Sequence, residues 1–312
     1  MRERLTGLVA AAYTPMFPDS SLNLAMVPRI ADYLVSAGVS GIYICGSTGE
    51  GPSLTGEERK ILAEAFVEAA NDRLPIIVQV GHNSLKEARE LAAHAQAVGA
   101  DMISSNSPSY FKPTDAGSLL RSMAEVAQGA PRLPFYYYHI PAFTGVSIDM
   151  VEFLEKGEQE IPNLAGIKFS DRAISEYQAC LECCGGKFDV LWGVDEMLLS
   201  ALAVGAKGAV GSTYNVVAPL YLRIIESFKE GDLEEARRCQ QLSAQFVRML
   251  DRHAPLHTSL KEVVKLAGLD CGGVRLPQQP LPEGASEKIQ TDFEEFGMTK
   301  WMALPSLRHE NL

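Results

Sequence analysis

The sequence has few of the features that mark membrane-bound or secreted proteins. Over its 312 residues, no apolar stretch approaches the ~20 residues that a helix needs to cross a bilayer. A short apolar run follows Arg2 and Arg4, but it lacks the length of a signal-peptide core and continues into a strand-and-turn pattern. We therefore expect a cytoplasmic protein.

Cysteine is sparse and unevenly spaced. The six cysteines form no even framework, and the cluster at 180–184 lacks the second pair of ligands that a zinc site needs. The chain also has no Gly-x-Gly-x-x-Gly after its first apolar run, which is the motif of dinucleotide-binding folds. These absences favour free thiols in a reducing compartment, and they predict neither a metal nor an organic cofactor.

Positive charge is in deficit. The formal net charge is −11 at pH 7, whereas nucleic-acid binders normally present a basic face, so we expect no nucleic-acid partner. A small anionic substrate is not excluded, because one local pocket can oppose the net charge. The apolar and charged fractions, 46% and 21%, are ordinary for a globular protein with a substantial core.

Short apolar runs recur eight times along the chain, and most are followed by an amphipathic stretch of helical period. Strands that alternate with helices imply a parallel sheet, and eight units in ~210 residues match a (β/α)8 TIM barrel. An open doubly wound sheet is the alternative. The predicted strands are 7–14, 41–47, 75–80, 101–105, 135–140, 165–169, 190–194 and 206–211, and predicted helices include 27–37, 56–70, 85–97, 118–127 and 174–184.

The pattern changes to helices alone after the eighth run. Helices are predicted at 219–229, 233–250 and 258–267, and a last one near 285–296 follows a proline-rich passage. We interpret residues 1–218 as the barrel, 219–297 as a C-terminal helical extension packed on it, and 298–312 as a loosely held tail.

Lys168 interrupts an apolar run, Leu-Ala-Gly-Ile-Lys-Phe-Ser at 164–170, that otherwise resembles a buried strand. Buried charge is costly unless it is paired or neutralised. A buried amine therefore tends to lose its proton, and a neutral amine attacks carbonyl groups to form Schiff bases. The simpler interpretation is a lysine at a strand edge that reaches solvent. The residues at the other strand ends decide between the two.

Catalytic groups of such barrels lie where the strands end. The second strand ends in Gly-Ser-Thr-Gly-Glu at 46–50, where the hydroxyls of Ser47 and Thr48 and the backbone amides offer donors to a carboxylate. On the fifth strand Tyr136 and Tyr138 share one face, with Tyr138 nearer the functional end. Each feature alone is more often a turn or a packing residue.

Three further strand ends are polar. The seventh carries Gly193, Asp195 and Glu196, whose carboxylates could bind hydroxyl groups or cap the next helix. The eighth continues into Gly-Ser-Thr-Tyr-Asn at 211–215, which includes Ser212 and has no nearby cation to favour a phosphate. The fourth ends in Asn-Ser-Pro-Ser-Tyr at 106–110.

A lysine nucleophile, a neighbouring tyrosine and an anion-binding loop are what a Schiff-base aldolase needs. The iminium formed between lysine and a 2-oxo acid withdraws electrons from the bond being broken. A phenol relays protons, and the loop holds the carboxylate. A catalytically silent barrel that binds sugar acids is the alternative from a different class, but it has no evident need for a lysine inside a strand.

These motifs resemble those of the N-acetylneuraminate lyase and dihydrodipicolinate synthase superfamily of class I aldolases, and the chain is most similar to its lyase branch. The resemblance spans nearly the whole sequence and rests on GSTGE at 46–50, YHIPAFTG at 138–145, GIKFS at 166–170, GVDE at 193–196 and GSTYN at 211–215. It implies a homotetramer without metal or organic cofactor that cleaves a sialic acid to pyruvate and an N-acylated amino sugar.

Roles for individual residues follow from the same resemblance. It implies that Lys168 forms the Schiff base and that Tyr138 relays protons. It further implies a pyruvoyl-carboxylate site, a sugar-tail site and a tyrosine that reaches a neighbouring subunit's site. Ser170 stands where many bacterial members carry threonine, so the hydroxyl is kept. The substrate-binding residues are Ser47, Thr48, Ser170, Gly193, Asp195, Glu196 and Ser212, and the tyrosine is Tyr110.

Phe143 separates two branches of the superfamily. Dihydrodipicolinate synthases carry an arginine at the corresponding place, where it meets the carboxylate of the aldehyde substrate. A phenylalanine offers neither charge nor donor. We therefore expect a neutral polyol aldehyde such as N-acetylmannosamine, and another pyruvate-dependent aldolase of the superfamily is the alternative.

Overall fold

Eight parallel strands close into a barrel in the computed structural model, which describes residues 4–303. Each strand pairs with the next, and β1 closes the ring by pairing with β8, with Leu8 opposite Ala209. The predicted (β/α)8 barrel is therefore confirmed. The strands are β1 (Gly7–Ala11), β2 (Gly41–Ile44), β3 (Ile76–Gln79), β4 (Met102–Ser105), β5 (Phe135–His139), β6 (Leu164–Phe169), β7 (Asp189–Trp192) and β8 (Gly208–Gly211).

Five of the eight predicted strands were too long at their C-terminal ends by one to three residues, whereas the fourth, sixth and eighth end where predicted. Residues such as Tyr13 and Cys45 are buried but lie beyond the ladder of strand hydrogen bonds. Cys45 has a positive φ of 57°, which lies outside the β region that non-glycine strand residues adopt. A run of apolar residues indicates burial rather than strand pairing. A strand predicted from such a run therefore extends into the buried loop that follows it.

Helices connect the strands and continue after the last one. The predicted helices 56–70 and 85–97 have the observed bounds, and Thr55 forms a capping box with Glu58 at the start of the first. The helices are α1 (Val27–Ser36), α2 (Gly56–Ala70), α3 (Leu85–Ala97), α4 (Ala116–Ala127), α5 (Pro141–Thr144), α6 (Met150–Glu160), α7 (Ile174–Gly186), α8 (Leu198–Ala203), α9 (Tyr214–Glu230), α10 (Leu233–Asp251), α11 (Leu256–Val264) and α12 (Ala285–Glu295).

The other predicted helices have bounds that differ by one or more residues, and two of them are interrupted in ways that the sequence did not predict. Regular helical geometry in α7 stops before Cys183, and the chain then turns through Cys184 and Gly185 at positive φ. Helix α9 begins at Tyr214, five residues before the predicted start, and contains Pro219 after a non-helical Val217. Proline favours a first helical turn, so its position suggested a start that is in fact a kink.

Successive side chains along each strand alternate between two apolar layers. The barrel interior contains Tyr43, Tyr136, Tyr138, Leu191 and Val210, whereas alternate residues face the surrounding helices. On β6 this alternation turns Ile167 and Phe169 outward and leaves Lys168 on the inner face. The predicted common face of Tyr136 and Tyr138 is confirmed.

The helices after β8 lie against the barrel and its loops. Helix α9 spans the predicted boundary at 218/219, and the division into barrel and extension stays a prediction. Residues Thr299–Trp301 form one turn of 3-10 helix, whereas residues 304–312 of the predicted tail, like Arg2, lie outside the described residues. Within residues 4–303, no helix is long and apolar enough to cross a membrane.

Candidate active site

A cavity of about 490 Å³ opens at the C-terminal end of the barrel strands. Its volume is in the range of sites for small ligands. The loops after β2, β5, β6, β7 and β8 supply most of its wall, and helices α10 and α11 supply the rest. Nine of the ten predicted site residues line it, namely Ser47, Thr48, Tyr138, Lys168, Ser170, Gly193, Asp195, Glu196 and Ser212.

Lys168 lies at the floor of the cavity and is only 4% exposed. Its Nζ is 4.0 Å from the ring centroids of both Tyr43 and Tyr138. It forms no ion pair and no hydrogen bond with any other residue between 4 and 303. The amine is thus held between two aromatic faces without a carboxylate, which leaves it available to an incoming carbonyl group.

Tyr138 and the loop after β2 border this amine. Tyr138 lies directly opposite Lys168 in the pairing of β5 with β6. Its hydroxyl is 3.4 Å from the Oγ of Ser47. Thr48 beside Ser47 is buried. Carboxylate donors, a phenol and an amine therefore meet within one small volume.

The loop at 46–50 is also held by residues that do not line the cavity. The Glu50 carboxylate accepts a hydrogen bond of 2.7 Å from Lys261 Nζ and one of 2.8 Å from the backbone N–H of Arg275. Thr14 donates to the carbonyl of Gly49 at 2.6 Å. Helix α11, the loop that follows it and the segment after β1 thus fix the end of the loop that carries Ser47 and Thr48.

Asp195 is held on the opposite side of the cavity by Thr213. Its carboxylate accepts hydrogen bonds of 2.9 Å from the Thr213 N–H and 2.6 Å from the Thr213 hydroxyl. Burial raises the pKa of Asp195 to about 6. A Cβ at Gly211 would collide with this carboxylate, so the glycine is required for its close approach.

Glu196 lies beside Asp195 and pairs with an arginine that the sequence interpretation overlooked. Arg172 Nη2 donates to Glu196 Oε1 at 3.0 Å. The guanidinium is 76% exposed, so solvent weakens this pair. Ser170 and Gly193 fill the space next to it, where a Cβ on the glycine would strike the serine side chain.

Several residues in or next to the cavity could not be recognised from the sequence. The ring of Tyr43 contacts Lys168 from inside the barrel, and the position of Tyr43 in the second apolar run was its only signal. Thr213 belongs to the GSTYN motif at 211–215, but only Ser212 of that motif was given a role. Arg172 and His257 carried no signal, because a loop and a distant helix bring them to the cavity.

Tyr110 does not line the cavity of its own chain. It is 79% exposed and packs edge-on against Phe111, with ring centroids 5.0 Å apart. Its predicted role in a neighbouring subunit's site stays a prediction. His139, to which no catalytic role was assigned, packs against Phe169 outside the cavity. Among residues 4–303, no cluster of three histidine, cysteine or acidic side chains could hold a metal ion.

Fold and site together define a (β/α)8 barrel with an unpaired lysine at the base of a polar cavity. The model of the dihydrodipicolinate synthetase family matches residues 4–296, and the chain belongs to this family. It is 43% identical to an N-acetylneuraminate lyase of Gallus gallus over 92% of this chain and 94% of the relative.

Two solved structures are similar over nearly their full length. The N-acetylneuraminate lyase of Proteus mirabilis has a TM-score of 0.92 and 38% identity, and covers 94% of this chain and 99% of its own. The native N-acetylneuraminate lyase (sialic acid aldolase) of Aliivibrio salmonicida has a TM-score of 0.92 and 40% identity, with 96% and 99% covered.

Proposed function

We propose that this protein is a Schiff-base aldolase that reversibly cleaves N-acetylneuraminate to N-acetyl-D-mannosamine and pyruvate. One observation carries the proposal: Lys168 is buried at the base of the cavity beside Tyr138 and the 46–50 loop, and no residue between 4 and 303 accepts a hydrogen bond from its amine. The lyase relatives, which match along almost the whole chain, support the choice of substrate. The carbon–carbon lyase thus acts on a small hydroxylated 2-oxo acid.

Cleavage begins with the open-chain ketone of the sugar acid. The Lys168 amine adds to C2, and loss of water gives an iminium whose nitrogen is the lysine Nζ. Ser47 and Thr48, with the amides of their loop, bind the adjacent carboxylate. This contact places C2 next to Lys168 and Tyr138, within reach of both groups.

The iminium then accepts the electron pair of the breaking bond. The Tyr138 phenol gives its proton to the water that leaves as the iminium forms, and the resulting phenolate takes the proton of the C4 hydroxyl as the C3–C4 bond breaks and the sugar aldehyde leaves. Tyr138 then returns this proton to C3 of the enamine on Lys168, and its phenolate takes a proton from the water that attacks the iminium. Water then hydrolyses the iminium to free pyruvate and the lysine amine, so atoms and charge balance over the cycle.

The remainder of the cavity holds the hydroxylated tail. Asp195 and Glu196 are hydrogen-bond acceptors for sugar hydroxyls, and Ser170 and Ser212 can donate or accept. Gly193 leaves room for the chain of the polyol. Asp195 reaches this position because Thr213 holds it from behind.

The dihydrodipicolinate synthase-like alternative is not favoured. Phe143 is 67% exposed, lines the cavity and has no charge to meet a second carboxylate. Arg172 is the nearby cation, but Glu196 already engages it. A partner arginine in a desolvated site contributes about 2–5 kcal/mol, and its absence here disfavours aspartate semialdehyde.

The assembly is a homotetramer in the cytoplasm, in which Tyr110 of one subunit reaches the site of another. The exposed aromatic pair Tyr110 and Phe111 supports an interface at this edge of the barrel. The six free cysteines are consistent with a reducing compartment. Light scattering of the protein, with and without Tyr110→Ala and Phe111→Ala, tests the assembly.

Two assays test the proposed reaction. Incubation with N-acetylneuraminate should release pyruvate, which a coupled dehydrogenase measures. In the reverse direction, N-acetylmannosamine should condense with pyruvate far faster than aspartate semialdehyde. A clear preference for the semialdehyde would place the protein in the other branch of the family.

A further inference from the structure

His257 comes to the cavity from outside the barrel. It is the second residue of α11, which follows the turn at Pro255. With Leu256 and Val247 it forms the part of the wall that the C-terminal helices supply. The proposed reaction gives this imidazole no role.

The two ring nitrogens of His257 have different surroundings. Nδ1 is buried and has no hydrogen-bond partner among the described residues. Nε2 also forms no hydrogen bond with residues 4–303, but it is not sealed from the cavity. The Nε2 edge is therefore the part of the ring that a molecule in the cavity can reach.

The charge and the tautomer of this ring follow from its surroundings. Burial, with a smaller effect from Lys168, lowers the pKa of His257 to about 4, so the ring is neutral near pH 7. A neutral ring has one N–H, and a buried N–H without an acceptor is rarer in proteins than a buried acceptor without a donor. The proton therefore belongs on Nε2, and His257 is a neutral donor facing the cavity.

The substrate tail presents one group that matches such a donor. Hydroxyl groups can donate to the carboxylates of Asp195 and Glu196, but an acyl carbonyl can only accept. Arg172 is a second donor in this region, and it is already paired with Glu196. The hydroxyls of Ser170 and Ser212 can accept as well as donate, whereas the Nε2–H of His257 can only donate, and none of the described residues engages it.

We propose that His257 is a specificity-determining residue whose Nε2–H donates a hydrogen bond to the acyl carbonyl of the amino-sugar aldehyde. The inference rests on the proposed aldolase function and deepens it. It assigns to the C-terminal helices the recognition of the N-acyl group, while the barrel loops hold the carboxylate and the polyol.

The test compares two aldehydes in condensation with pyruvate. N-Acetylmannosamine carries the acyl carbonyl, and mannose has a hydroxyl in its place. The variants are His257→Phe, which fills the space without a donor, and His257→Gln, which keeps an N–H near the same position. The quantity measured is the ratio of kcat/KM for the two aldehydes.

His257→Phe should lower this ratio about 5- to 100-fold, as expected when a buried acceptor loses its donor. His257→Gln should keep most of the wild-type ratio. Because the ring is neutral, the wild-type ratio should not change between pH 6 and pH 8. Trapping of pyruvate on Lys168 by borohydride should be equal in all three proteins.

Equal losses for both aldehydes in His257→Phe would overturn the proposal, since a residue that only packs the wall affects both. An unchanged ratio would overturn it as well. If the Phe variant does not fold, His257→Met takes its place in the same comparison with His257→Gln. Failure of the aldolase function itself is distinguishable, because wild-type protein would then trap no pyruvate.

Discussion

Two buried lysines in this protein have opposite surroundings. Lys261 is 2% exposed, and its Nζ donates to Glu50 at 2.7 Å and to the carbonyl of Gly273 at 2.6 Å. Lys168 is 4% exposed, and its Nζ lies between two aromatic rings without an acceptor among residues 4–303.

The difference separates a structural amine from a reactive one. A buried ammonium needs acceptors, and the partners of Lys261 supply them. That pair joins α11 to the end of the loop that carries Ser47 and Thr48. Lys168 makes no such contacts, so its lone pair is available for a carbonyl carbon. Burial alone does not identify a catalytic lysine; burial without an acceptor does.

The largest expected effect separates the two lysines by activity. Lys168→Met keeps the apolar stem and removes the amine, so turnover should fall to background. The free energy of unfolding should not decrease, because no ion pair is lost. Pyruvate release and denaturant unfolding measure the two quantities. A variant that turns over substrate normally would show that the nucleophile lies elsewhere.

Next in size is the effect of the phenol beside Lys168. Tyr138→Phe removes the proton relay and should lower turnover about 10²- to 10⁴-fold. Formation of the pyruvate adduct on Lys168 should be retained much better than turnover. Steady-state rates and borohydride trapping provide the comparison, and a wild-type rate would remove Tyr138 from the scheme.

The matched substitution at the structural lysine should act on stability. Lys261→Met leaves Glu50 buried without its cation, and such a loss costs about 3–5 kcal/mol. The double variant Lys261→Met with Glu50→Gln should recover part of the lost stability, because the unpaired Glu50 carboxylate is gone. Denaturant unfolding of the three proteins tests this, and an unaffected single variant would contradict the comparison.

The smallest effect concerns pH. Burial raises the pKa of Asp195 from 3.8 to about 6, so the folded state binds its proton more tightly than the unfolded state does. The contribution of Asp195 to the free energy of unfolding is therefore fully present below about pH 4. It decreases by about 3 kcal/mol as the pH rises through 6. Asp195→Asn removes this change. Melting temperatures of both proteins between pH 4.5 and 7 should converge toward the acid end, and parallel curves would argue against the raised pKa.

The sequence predicted local chemistry better than distant contacts. Strand alternation placed Tyr136 and Tyr138 on one face, and the strand ends located the cavity, because both follow from residues close in the chain. The partner of Glu50 could not be predicted, since Lys261 is brought to it by the packing of α11. His257 was overlooked for the same reason.

Borohydride trapping with pyruvate, followed by peptide mapping, tests the central claim most directly. We expect one adduct per chain, on Lys168, and none on Lys261 although both amines are buried. The Lys168→Met variant should give no adduct. An adduct on any other lysine of the wild-type protein, or none at all, would contradict the assignment of Lys168 as the Schiff-base residue.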